Sequence, residues 1–173
     1  PKEIKKWDVY AIRLEGEIKN MSAVVPLVAQ LSSNAMQDRH WKTILALGPR
    51  PVEKTPSFTF ADVLSLQLHL HADEVIEIVE VATKERKVEV RLSGIDNSWS
   101  SLVLQFTTFP DTDVSVLVPP EEIIETLEEH QLQLQTMIGM GRFVDYFRDE
   151  VMSWQKKLSM VETTIKLWVD VQK

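Results

Sequence analysis

Two long apolar stripes constrain this chain more than any other feature. Phe143, Phe147, Val151, Trp154, Leu158, Val161, Ile165 and Trp168 fall at alternating spacings of four and three. That rhythm puts all of them on one side of an α-helix. A helix over 143–168 would be roughly 39 Å long, at about 1.5 Å rise per residue. A row of large side chains that long needs other helices to cover it. Trp7, Ala11, Leu14, Ile18, Met21, Val25 and Val28 keep the same rhythm near the other end, close to a coiled-coil seam. Pro26 interrupts this second stripe. A proline inside a helix removes a backbone donor and crowds the preceding turn. The expectation is therefore a long helix to about Ala23 and a short one over 27–31.

The segments between the stripes are also mostly helical in pattern. In SNAMQDRHWKTILA (33–46), Ser33 or Asn34 can cap a new helix. Met36, His40, Ile44 and Leu47 share its apolar face, and Trp41 and Leu45 widen it. Asp38 and Lys42 form an i,i+4 pair on the outside. Gly48-Pro49 stops the helix, and GPRPVEKTP is a proline-punctuated loop. A short helix over 59–68 turns Phe60, Val63, Leu64 and Leu68 inward. A longer one carries Val75, Ile78, Val79 and Ala82. Beyond Lys84, Val88, Val90 and Leu92 alternate like a strand, whereas Val88, Leu92, Ile95, Trp99 and Leu102 continue the helical phase. Continuity of phase favours helix, with Gly94 as its weakest point.

After Ser101 the period changes to two. Leu102, Leu104, Phe106 and Thr108 alternate, as do Val114, Val116 and Val118, with the turn residues PDTD between them. This predicts a β-hairpin near 102–118. Pro119-Pro120 then opens a helix with Glu121, Glu122 and Glu125 at its positive end and Ile124, Leu127, Leu134 and Ile138 inward. Gly139 and Gly141 end it before the last stripe. The fold class is mainly α: an elongated array of antiparallel helices with one small β-hairpin. The expected organisation is a helical subdomain over 1–100, the hairpin over 101–118 and two long helices over 119–173.

Composition narrows function. Hydrophobic residues are 44% of the 173, enough for a substantial core, and the net charge of −7 argues against nucleic acid as a partner. With no cysteine, thiol chemistry and cysteine zinc sites are excluded, and an intracellular setting fits. No apolar run approaches membrane-spanning length, so no membrane partner is expected. PKEIKKWD lacks a signal-peptide core and an initiator Met, and LWVDVQK stops within a helical pattern. Both ends read as cuts into a longer protein.

The candidates for chemistry do not converge. Asp38, Arg39 and His40 resemble pieces of an acid–base site, but adjacent helical side chains fan out by about 100° each. His40 sits on the apolar face, suited to bonding a backbone carbonyl, and Arg39 is suited to bridging a neighbouring helix. His69 and His71 in LHLHADE, with Asp73 and Glu74 beside them, would share a metal on a strand. On a helix they point about 200° apart. Gly139-Met140-Gly141 is a lone GxG at a helix junction, and GxxxxGK[ST] is absent. The glutamate pairs 121–122 and 128–129 read as solvated helix faces. The site assignment is accordingly no catalytic, cofactor-binding or metal residue. The rival is a small hydrolase or metal enzyme using His40, His69 or His71.

Five segments in series carry a resemblance: AMQDRHWKTIL, DVLSLQLHLHADEVIEIVEVATKE, SWSSLVLQF, EEHQLQLQTM and DEVMSWQKKLSMVETTIKLWVDVQK. In this order and spacing the chain resembles the linker region of dynein heavy chains, over essentially its whole length. The residues that carry it most are Arg39-His40-Trp41, Asp73-Glu74-Val75, Trp99, Gln131, Gln133 and Gln135, and Trp154 to Leu158. The wording is closer to axonemal (ciliary) chains than to the cytoplasmic one. Asn34 stands where many relatives carry proline, and Gly94 where they keep a better helix former. The resemblance implies a helical rod with a small β element that bends and straightens across an AAA+ ring, moving the tail. It implies no catalysis by this segment, with ATP and Mg bound in the parent ring. Implied partners are the ring and tail of the same heavy chain, microtubules through the parent motor, and dynein intermediate or light chains. The implied location is the cytoskeleton of a ciliary or flagellar axoneme, with the cytoplasm as alternative. On this reading Trp154→Ala would cost about 3–5 kcal/mol, as large aromatic truncations do. The rival without a motor is a stand-alone helical adaptor that binds partner helices.

Overall fold

The structure is a computed structural model that describes residues 2–49 and 58–172. The chain is mainly α with a small antiparallel hairpin. Its helices are α1 (Lys2–Leu31), α2 (Asp38–Leu47), α3 (Phe60–Ser65), α4 (Ala72–Ser101), α5 (Glu121–Ile138) and α6 (Arg148–Val171). Strands β1 (Phe106–Thr108) and β2 (Ser115–Leu117) lie between α4 and α5. Short 3-10 turns, Leu68–His71 and Gly141–Phe147, precede α4 and α6. Most of the proline-punctuated loop lies outside the described residues. The chain divides into two compact units, Pro1–Lys84 and Glu85–Lys173, the division falling within α4.

In the first unit, Val24, Leu27 and Leu31 of α1 pack with Ile44 and Leu45 of α2, Val63 of α3, Leu66, Leu68 and Val75. The expected break at Pro26 does not occur: α1 runs through it to Leu31. Ser22 and Pro26 are both exposed, so water can reach the Ser22 carbonyl that lacks its helical donor. Val24 and Leu27, on either side of the proline, are anchored in the same core. The α2 cap also differs from expectation, being Gln37 instead of Ser33 or Asn34. Gly48 closes α2 at a tight spot, where an added Cβ would meet Leu66 Cδ2 at 2.5 Å. Leu66 and Leu68 are both buried, and Gln67 between them turns the chain in a left-handed conformation (φ 52°).

In the second unit, Val88, Leu92 and Ile95 of α4 pack with Leu134 and Met137 of α5, Val144 and Phe147 of the 3-10 turn, and Val151 and Leu158 of α6. Helical phase therefore decides the 85–101 segment. Val88 and Leu92 are buried, while Val90, which a strand would place with them, is 56% exposed. The inward row of α5 is Ile123, Leu127, His130, Leu134 and Met137, one step round from the Ile124 and Ile138 expected. The last stripe is not one helix, because Gly141 (φ 63°) redirects the chain and a 3-10 turn carries Phe143 to Phe147 before α6 starts.

The hairpin pairs Phe106 with Leu117, Thr107 with Val116 and Thr108 with Ser115. It is shorter than 102–118, and its buried side is that of Leu117. Val114 is 60% exposed. A two-stranded ribbon has one covered face, and here the three valines do not mark it. Asp111 takes a left-handed conformation (φ 60°) in the connecting turn.

Candidate functional site

The cluster Asp38, Arg39, His40 and Trp41 occupies the first turn of α2. His40 is buried, and its Nδ1 accepts a hydrogen bond from the Gln37 backbone N–H at 3.1 Å. It thus reaches back to the cap residue, closing a reciprocal box at the helix start. At Nδ1 the partner is an amide donor, which makes that nitrogen the acceptor and commits it to structure. Trp41 meets the Phe58 ring edge-on at 6.0 Å. The same device opens α3, where the Thr59 backbone N–H and hydroxyl donate to Asp62 Oδ2 at 2.7 and 2.8 Å. Those two bonds hold the Asp62 carboxyl below its ordinary pKa.

His69 and His71 lie on the 3-10 turn before α4, and His71 Nδ1 is 3.6 Å from Glu74 Oε1 in the first turn of α4. Among the described residues, no group of three or more His, Asp or Glu is placed to hold a metal ion. Likewise no helix there is long and apolar enough to cross a membrane. Gly139 and Gly141 form the α5–α6 junction. Glu121 and Glu122 lie exposed in the first turn of α5.

Other singled-out residues lace the helices of the second unit. Trp99 Nε1 on α4 donates to His130 Nδ1 on α5 at 3.0 Å. That bond requires a neutral imidazole. Burial pushes the His130 pKa down, opposed by the neighbouring Glu129 carboxylate. Gln131 Nε2 on α5 donates to Glu162 Oε2 on α6 at 2.9 Å, and Lys166 Nζ donates to the other Glu162 oxygen. These two donors lower the Glu162 pKa, and the carboxylate in turn raises that of Lys166. Gln131 facing Glu162, with Glu128 acting on Lys166, shows that α5 and α6 run antiparallel. Trp154 is half-buried against the core, with Lys157 Nζ over its ring at 4.7 Å.

Two elements escaped the sequence reading. His130 falls between Leu127 and Leu134 on the inward row, and that position was the available signal; its polarity hid it. Gln172 acts as a substitute strand. Its Oε1 accepts from the Leu117 N–H at 2.7 Å, and its Nε2 donates to the Leu117 carbonyl at 3.1 Å. With Phe106 against Trp168 at 5.7 Å, this fastens the hairpin to the end of α6. Nothing in the sequence near Gln172 signals a bond 55 residues away.

Side chains that cap helices, lace them together and close their cores define a helix-packing element. Its family is shown by the match of residues 1–173 to the family model "Dynein heavy chain, N-terminal region 2". The chain belongs to the dynein heavy chain family. It is 36% identical to mouse (Mus musculus) dynein axonemal heavy chain 17, over 99% of this chain and 4% of that protein. The same identity and coverage hold for the ciliary dynein beta chain of Tripneustes gratilla. The flagellar outer arm dynein alpha chain of Chlamydomonas reinhardtii is 37% identical, again over 99% of this chain. Similarity is thus to axonemal, ciliary and flagellar heavy chains, and the chain spans about 4% of their length.

Proposed function

We propose that residues 1–173 are the tail-proximal part of a dynein linker, a lever that transmits ATP-driven movement of an AAA+ ring to the tail. The observation that carries this is the use of the polar residues. His40, Asp62, Trp99, His130, Gln131 and Gln172 are bonded into caps and helix-to-helix or helix-to-hairpin ties. A lever needs resistance to deformation, which close-packed interiors supply. In this reading the segment hydrolyses nothing, and ATP and Mg act in the parent ring. Its partners are that ring and the tail of the same heavy chain, with microtubules engaged through the parent motor. Dynein intermediate and light chains complete the candidate partners, and the setting is the axoneme.

The second reading is a stand-alone helical adaptor, favoured by the exposed apolar row on the first half of α1, where Trp7 is 73% and Leu14 59% exposed. The natural transcript distinguishes the two. Several P-loop modules downstream of Lys173, followed by a long coiled-coil stalk, are the expected result. A stop codon shortly after Lys173 would remove the motor and leave the adaptor.

A further inference from the structure

The α1 stripe is a heptad seam that the first unit does not cover. Trp7, Leu14, Ile18, Met21 and Val25 are 73%, 59%, 55%, 45% and 52% exposed, and Ala11 is exposed beside them. The core begins only at Val24. A cleft of about 570 Å3 runs beside the seam, between Leu14, Ile18 and Met21 and the Leu64, Gln67 and His69 side chains. In heptad terms Trp7, Leu14 and Met21 are d positions, and Ala11, Ile18 and Val25 are a positions. A seven-residue repeat is matched by another helix winding with it, not by a strand. The seam from Trp7 to Val25 would take about 27 Å of that helix, at about 1.5 Å per residue.

The flanks decide which helix. Among the residues whose side chains the structure describes, the e and g positions beside the open seam are Tyr10, Glu15, Glu17 and Ser22, and Val24, the last g position, is buried in the core. Every charge among them is negative. Arg13 and Lys19 lie further round and fold back onto Glu17 and Glu15 at 3.2 and 2.8 Å. Those pairs are 64–78% exposed, so they are weak and easily exchanged for a partner's cation. A second copy in parallel would set Tyr10 against Glu15 and Glu17 against Ser22. An antiparallel copy would set acid against acid, so neither orientation gives an opposite-charge pair. An anionic lipid surface prefers a basic polar face, which this helix lacks beside its seam.

We propose that this seam docks an amphipathic helix of another polypeptide, with its own heptad seam flanked by Lys and Arg. Complementary flanking charge selects partners and speeds their encounter, which suits two separate chains. The proposal does not depend on the lever reading.

The test uses the 173-residue chain and two synthetic three-heptad peptides with identical Ile/Leu seams. One carries Lys at every e and g position, the other Glu. Calorimetric titration at low salt should show the Lys peptide binding at least about tenfold tighter than the Glu peptide, with the advantage shrinking at high salt. Glu15→Lys with Glu17→Lys should reverse the preference. Leu14→Glu, at an exposed position, should abolish binding of both peptides while circular dichroism stays unchanged. Equal binding of the two peptides, or binding of neither, would overturn the proposal. So would a dimer of the chain in sedimentation that Leu14→Glu dissolves, or adsorption to phosphatidylserine vesicles. The purified full-length heavy chain should also take up the Lys peptide. Refusal there, with binding by the 173-residue chain, would mean the same polypeptide covers the seam, and would overturn the separate-chain assignment.

Discussion

The α1 and α6 stripes follow the same spacing and meet opposite environments. On α6, Val151, Leu158 and Ile165 are 0%, 1% and 5% exposed. On the first half of α1, Leu14 and Ile18 are 59% and 55% exposed. Spacing fixes which side of a helix wants cover, because it depends only on the helical repeat. What provides the cover depends on segments far away in sequence. The α6 row finds α5 and α4 within its own unit, and the open α1 row finds none there. The difference is one of partner, not of pattern.

The largest effect that could break this comparison is a matched pair of truncations. Leu158→Ala should destabilise the second unit by about 2–5 kcal/mol in denaturant unfolding, as fully buried leucines do. Leu14→Ala should stay within about 0.5 kcal/mol. Equal losses would mean that α1 is covered after all. Trp154→Ala should fall at the lower end of the expected range of about 3–5 kcal/mol, since Trp154 is only half-buried.

Next in size is the tie between α4 and α5. Trp99→Phe removes the donor to His130 and should cost about 1–2 kcal/mol by thermal unfolding. The same pair gives a pH dependence. The folded His130 pKa lies below the ordinary value of 6.5. The unfolded chain therefore binds more protons in the window just below that value. The full contribution is present above the unfolded pKa and is lost as pH falls through the folded one. Stability measured across that window should drop on acidification, and His130→Phe should flatten the drop. A slope unchanged by His130→Phe would place its origin elsewhere.

The smallest effect concerns Gly94, where an added Cβ meets nothing within 4 Å. Gly94→Ala should raise stability by about 0.5–1 kcal/mol through backbone entropy alone. A loss would reveal a contact at this face of α4.

Local signals were legible and distant ones were not. The phase of Val88, Leu92 and Ile95 identified helix against strand, because burial on one side enforces a single period. The hairpin was legible from its alternation and turn residues, though not which face it buries. Pro26 misled, since its local cost of about 3 kcal/mol is outweighed by anchoring on either side. His40 lies on the packed face as its position in the apolar row implies, and the bond of its Nδ1 to the amide of its own cap is a local detail that the row does not signal. His130 and Gln172 were missed because each is defined by a residue 31 or 55 positions away.

The most direct test of the lever account is coupling in the parent heavy chain. Leu158→Ala, introduced there, should leave ATP turnover close to wild type while microtubule gliding slows several-fold. Unchanged gliding in a chain whose second unit is measurably softened would contradict the account, as would a parallel loss of turnover and gliding.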